Sequence, residues 1–215
     1  MAKKIALITG ASRGLGAALS EKLSETHHII AVARTVGGLE DLDDRIKAKN
    51  GFATLVPMDI TNREAMKQLF SSIFERWGRI DLWAHTAIYA PPLSPLSTID
   101  LEDLDKTYST NITATALLIN FISPIMRKEG HALFFEDPCN GNKFYGIYGS
   151  SKSAQISLAM SWANETKKIG PNVNIFGIAP MRTALRARFF PGENKEKLMS
   201  PKTEANRVLA TLFDL

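Results

Sequence analysis

Tyr148 and Lys152 stand four residues apart in a stretch whose periodicity predicts a helix, which puts their side chains on one face. A phenol with a reference pKa of about 10 is a poor base at neutral pH, and a nearby ammonium favours its ionised form. Far upstream, Thr9-Gly10-Ala11-Ser12-Arg13-Gly14-Leu15-Gly16 closes an apolar run and opens a helical pattern. Its glycines allow a tight turn and a close approach to a pyrophosphate, with the free N–H groups of the following helix pointing at the anion. Each feature occurs by chance in unrelated proteins, but their order and separation agree. Together they point to hydride chemistry.

The elements that must position these residues follow from the punctuation of the chain. Short β-rich runs at 5–9, 29–33, 53–56, 81–85, 132–135 and 173–178 alternate with helical patterns at 15 to about 24, 39–47, 62–77, about 101–128, 148–168 and 201 to the end. That alternation predicts an α/β fold, a Rossmann-type doubly wound parallel sheet. Thr61-Asn62 before Glu64 reads as a helix start, and Gly78, Gly130 and Gly170 as helix stops. In the helix through Asn111, apolar residues from Ile112 to Ile122 lie almost all round the axis. A helix of that kind is buried on two sides, by the sheet and by a second protomer or by covering loops; the expectation is a homodimer through the long helices.

The composition narrows the class. The 215 residues are 45% hydrophobic and 22% charged, as in an ordinary globular protein, and are expected to form a single domain, 1–215. The formal charge of +4 comes from 26 basic and 22 acidic residues scattered along the chain, which argues against a nucleic-acid partner. One cysteine, Cys139, excludes an intrachain disulfide and fits a reducing, cytoplasmic setting, and the four histidines lack metal-ligand spacing, so no metal is expected. Lys3 and Lys4 precede only a short apolar run, and the segment from Ile112 to Met126 is interrupted by Asn120 and Pro124. No membrane span is expected.

The second strand ends in Ala33-Arg34-Thr35, where an enzyme specific for NAD usually carries an acidic residue for the ribose hydroxyls. Arg34, with Arg13 in the first turn, suits a 2′-phosphate clamp instead, so NADP(H) is the expected cofactor. Asp59-Ile60, at the end of the third strand, is placed to meet the adenine; capping the helix near Asn62 is an equal alternative for Asp59.

On these residues the chain resembles the short-chain dehydrogenase/reductase family over nearly its whole length. It has the Thr-Gly-x-x-x-Gly-x-Gly turn from Thr9 to Gly16, the Tyr148-x-x-x-Lys152 pair, Asn111 in the preceding long helix, and Ala179-Pro180 with Thr183 as a variant of a Pro-Gly-x-x-x-Thr segment. The resemblance implies cofactor contacts from Gly10, Ser12, Arg13, Gly14, Leu15, Gly16, Arg34, Asp59, Ile60, Ala87, Tyr148, Lys152, Pro180 and Thr183. It also implies NADPH-dependent carbonyl reduction or alcohol oxidation of a small molecule. Tyr148 would exchange the proton, Lys152 would tune it and hold the ribose, and Asn111 would hold a water linking Lys152 to solvent.

The departures from the family pattern matter as much. Where the family places a serine after the fifth strand, this chain reads Phe135-Glu136-Asp137-Pro138, and Asp137 stands closest to that place. An ionised carboxylate only accepts hydrogen bonds and opposes an oxyanion, and one lost oxyanion donor commonly costs roughly 10²–10³ in rate. A protonated Asp137 would instead donate. Cys139, Asn140 and Asn142 are the other candidates for the missing donor. The family's Asn-Asn-Ala-Gly reads His85-Thr86-Ala87-Ile88, where Ile88 is expected to crowd the ribose or shift the loop. These changes keep a second reading open, a dinucleotide-binding protein without turnover that serves as a sensor or oligomer partner. The family's seventh strand is not expected here, which leaves the sixth as an edge. Arg182, Arg186, Arg188, Phe189 and Phe190 fall in the family's substrate-lid region, where a cationic rim suits an anionic or amphiphilic carbonyl compound; solvated arginines over core phenylalanines are the alternative.

Overall fold

Six strands, β1 (Lys4–Thr9), β2 (His27–Ala33), β3 (Phe52–Pro57), β4 (Ile80–His85), β5 (Met126–Glu136) and β6 (Asn172–Gly177), pair in the order β3-β2-β1-β4-β5-β6. Every pairing is parallel. The computed structural model describes residues 3–139 and 141–213. The fold is the doubly wound α/β arrangement expected, with β6 at an edge among the described residues.

Parallel strands need helical crossovers, and the helices cover both faces of the sheet. Side chains alternate across it. Ala6, Ile8, Ile29 and Ala31 face a layer formed by α1 (Gly14–Leu23), α2 (Val36–Lys47) and α8 (Pro201–Phe213). Ile5, Leu7, Ile30 and Val32 face α3 (Arg63–Trp77), α5 (Ala114–Ile122) and α6 (Gly146–Thr166). Leu7, Ile8, Ile29 and Ile30 are fully buried, and burying each such side chain contributes about 1.5–3 kcal/mol. This packing holds the strand ends, and with them the site, in register.

Several boundaries differ from the sequence expectation. The helix expected over about 101–128 is α4 (Leu101–Tyr108), a π-helical turn (Ser109–Thr113), α5 and a 3-10 turn (Ser123–Ile125), and β5 begins at Met126. Pro124 lacks the N–H that a continuing helix needs. Gly130 is therefore no helix stop but lies inside β5, where a Cβ would come 3.0 Å from the Asp81 carbonyl of the neighbouring strand. Gly78 does close α3, at φ 70°, and the Gly170 N–H bonds the Thr166 carbonyl at the end of α6. α2 starts at Val36, ahead of the expected residue 39, and Gly38 in its first turn lets the helix approach Ser12 closely. Between β6 and α8 the lid region contains α7 (Ala184–Phe189), capped by Thr183 Oγ1 accepting from the Arg186 N–H. Among the described residues no helix is long and apolar enough to cross a membrane.

Candidate active site

A cleft of about 730 Å³ opens along the carboxyl ends of the strands. This is where ligands meet doubly wound sheets, because the strand order reverses there and leaves a crevice. Every residue expected to contact the cofactor lines it, as do Tyr148, Lys152 and Asp137.

The β1–α1 turn forms one end. Gly10 has φ +82°, and a Cβ there would lie 2.6 Å from the backbone nitrogen of Ala87. Only glycine lets the turn after β1 touch the loop after β4 so closely. Thr86 Oγ1 secures the contact by donating to the Thr9 carbonyl at 2.8 Å. Arg13, at the N-cap position of α1, makes no side-chain cap, and the first turn of the helix holds no acidic residue. Its first amides and the positive end of its dipole are thus free to meet an anion. With Arg13 and Arg34 beside it, this donor set fits the phosphates of a dinucleotide.

Arg34 lies 3.6 Å from Asp59, and both side chains are largely exposed. Asp59 does not cap α3. Its Oδ1 accepts from the Thr61 N–H and hydroxyl, and Asn62 caps the helix by accepting from the Ala65 N–H.

At the other end, α6 presents its polar face to the cleft. Tyr148 is 4% exposed, and its hydroxyl donates to Asp137 Oδ2 at 3.1 Å. Burial, followed by the negative charge of Asp137, holds the phenol above its ordinary range. The phenol hydroxyl therefore keeps its hydrogen and donates it to Asp137, whereas the Tyr-Lys spacing alone pointed to a lowered pKa. Lys152 Nζ donates to the Phe135 carbonyl and to Gln155 Oε1, both at 2.6 Å. Burial pulls its pKa down to about 8, against the opposing attraction of Asp137.

Asn111 sits in the π-helical turn and is fully buried. Its Oδ1 accepts from the Tyr89 N–H, and its Nδ2 donates to the Tyr89 carbonyl and to Ser151 Oγ. Asn111 thus does not line the cleft with the other expected catalytic residues, because a buried amide must find partners and these lie within the protein. The group that reaches Lys152 is Gln155, which the sequence reading missed. Its Nε2 donates to the Asn111 carbonyl at 3.3 Å and to Thr115 Oγ1 at 3.2 Å. The signal was present in its spacing, three residues after Lys152 and seven after Tyr148 on one helical face.

His85 bonds Thr9 through Nδ1 and Thr115 through Nε2, and burial lowers its pKa to about 3. Ile88 turns toward an apolar cluster of Ala90, Cys139, Tyr148 and Phe189. Cys139 is buried and its thiol is pushed up to about 12, chiefly by burial. Asn142 lines the cleft, and Asn140 lies outside the described residues. Of the arginines in the lid region, Arg186 makes a two-bond pair with Glu193, and Arg188 donates to the Ala90 carbonyl at 2.6 Å. Most of the expected cationic rim is therefore engaged with the protein itself. A second missed residue is the buried Glu204, whose Oε1 accepts from the Ala179 N–H at 3.1 Å and so holds the Ala179-Pro180 backbone at the cleft wall.

A family model described as short chain dehydrogenase matches residues 4–194. An uncharacterized oxidoreductase of Listeria monocytogenes is 31% identical over 183 residues, which is 82% of this chain and 73% of that protein. A crystal structure of a short chain dehydrogenase from Salmonella enterica shares the fold, with a TM-score of 0.90 over 97% of this chain and 89% of that one at 23% identity. A metagenomic short-chain oxidoreductase solved in complex with NADP aligns at 25% identity with a TM-score of 0.78, over 97% of this chain and 89% of that one. The turn after β1 and the tyrosine-lysine pair of α6 thus occur within the fold and sequence pattern of known proteins: this chain belongs to the short-chain dehydrogenase family.

Proposed function

We propose that the protein is an NADP(H)-dependent oxidoreductase that interconverts a small carbonyl compound and its alcohol, with Tyr148 exchanging the proton. The observation that carries this reading is one continuous cleft, with the uncapped α1 turn at one end and the buried Tyr148 hydroxyl at the other. A nicotinamide dinucleotide, when bound, supplies or accepts the hydride. The chain's own residues do the rest. Arg13 and Arg34 would favour a 2′-phosphate, the α1 amides would hold the pyrophosphate, Pro180 and Thr183 would bound the nicotinamide end, and Lys152 would hold its positive charge behind Tyr148. The NADP complex of the metagenomic relative supports the choice of cofactor. A homodimer through α4, the π-helical turn and α5 belongs to the same proposal, supported by the half-buried Ile112 and Leu117, which fall outside both core layers.

Parallel titration of the purified protein with NADPH and NADH, followed by thermal melting, tests the reading. Ligand at a hundred times its dissociation constant adds ~2.7 kcal/mol to stability. Selective stabilisation by NADPH is the expected result; stabilisation by neither overturns it. Binding of the dinucleotide without turnover of any substrate favours a sensor or oligomer-partner role, the reading that Asp137 keeps open.

A further inference from the structure

We propose that the double bond reduced at this site is a protonated carbon–nitrogen bond, in a compact cyclic iminium, in place of a carbonyl. The proposal rests on the hydride-transfer reading above and changes the electrophile and, with it, the part of Tyr148, which here positions Asp137 and exchanges no proton with the substrate.

Reduction of a carbonyl builds negative charge on oxygen, and a site suited to it aims hydrogen-bond donors at that oxygen. Here the end of β5 offers an acceptor. Asp137 Oδ2 takes the hydrogen of the Tyr148 hydroxyl at 3.1 Å, so the phenol donor beside the reacting position is already engaged by a carboxylate. An alkoxide forming there would meet a negative charge and lose its donor.

Lys152 and Arg186 act on Asp137 only from a distance, and no cation among the described residues contacts it directly. Among the described residues it makes no ion pair. Lys152 is turned to Phe135 and Gln155, Arg186 to Glu193, and Arg188 to the Ala90 carbonyl. A half-buried carboxylate with no cation in direct contact, on the wall of a ligand cleft, can serve as a counter-ion for a positively charged substrate. The surrounding walls agree with this. The rings of Tyr145, Tyr148 and Phe189 pack with centroids 5.0–6.3 Å apart, and aromatic faces attract flat organic cations.

The chemistry balances without an oxyanion. Hydride adds to the iminium carbon and a C–H bond forms. The π pair of the C=N bond becomes the nitrogen lone pair, and the cation becomes a neutral amine that later takes a proton from solvent. The two electrons come from a reduced nicotinamide dinucleotide, the co-reactant of the reading above. Asp137 orients the N–H⁺ group before this step, and Tyr148 holds Asp137 in place.

The test uses 3,4-dihydroisoquinolinium as the iminium probe and 1-tetralone as its ketone counterpart, with binding to the free protein measured by calorimetry and turnover with NADPH measured separately. The expected result is at least tenfold tighter binding of the iminium, lost in Asp137→Asn, and faster reduction of the iminium than of the ketone. Asp137→Ser serves as a second variant should the first fail to fold, and its expected result is a shift of turnover toward the ketone. Equal binding of the two probes, or a preference unchanged in both variants, overturns the iminium proposal while NADPH binding leaves the hydride reading standing. Failure of either dinucleotide to bind overturns both.

Discussion

Lys152 Nζ donates to the main-chain carbonyl of Phe135 at 2.6 Å, fastening α6 to the end of β5. Two residues further along the same strand exit stands Asp137, which receives the Tyr148 hydroxyl from one helical turn earlier on α6. The two contacts form a brace between strand and helix. The spacing of proton donor and carboxylate is therefore set by backbone geometry rather than by a flexible loop alone, which makes the site's chemistry sensitive to single side chains.

Removing the Tyr148 hydroxyl with Tyr148→Phe is expected to lower carbonyl turnover by about 10²–10⁴, the usual contribution of a positioned proton donor. Dinucleotide affinity should stay within about twofold. Steady-state rates and a fluorescence titration on the same preparation check the split; unchanged turnover removes Tyr148 from the mechanism.

Gln155→Leu takes one acceptor from a buried ammonium and is expected to cost about 1–3 kcal/mol of stability. Losing an acceptor disfavours the charged form, so the Lys152 pKa should fall below its present value of about 8. The alkaline limb of the pH–rate profile then moves to lower pH. Denaturant midpoints and the profile together distinguish this from simple loss of packing, which leaves the limb in place.

Cofactor choice is expected to depend on Arg13 and Arg34. Each arginine-to-alanine change should weaken NADPH binding by about tenfold, the size of one charge-assisted contact of about 1.4 kcal/mol, and leave NADH nearly unaffected. For Arg34 the loss is tempered by Asp59, which lies 3.6 Å away and already draws on its charge. Calorimetric titrations with both dinucleotides give the ratio directly.

Acid should unfold the protein through two buried histidines. Burial lowers the pKa of His27 from 6.5 to about 4 and that of His85 from 6.5 to about 3. The unfolded chain binds these protons first, so the stabilisation is fully present above pH 6.5 and is lost as pH falls toward 4 and then 3. Each histidine contributes a slope of at most about 1.4 kcal/mol per pH unit. Urea midpoints should drop steadily below pH 6.5, and less steeply in His85→Gln; identical slopes in both proteins would exclude His85 as a source.

Gly16→Ala places a Cβ against Thr86 Oγ1 and the Gly10 carbonyl. An expected cost of about 1–3 kcal/mol follows from overpacking at this junction. A melting curve checks it, and dinucleotide binding should fall with it because the same junction shapes the α1 turn.

The sheet, the order of its elements and the two ends of the site were legible in the chain because they rest on local signals: period-2 and period-3.6 patterning, glycines at a turn, and a tyrosine and lysine one helical turn apart. The sequence also places Asp137 just beyond the apolar run that forms β5. What the linear order does not encode is which polar groups meet across the fold. Asn111 pairs with Tyr89 and Ser151, Gln155 bridges to Lys152, Glu204 reaches Ala179 from α8, and the lid arginines turn to Glu193 and Ala90. These partners are as far as 98 residues apart in sequence. Only the tertiary structure decides among them, because a buried polar group takes whichever partner the packing of distant elements brings within about 3 Å.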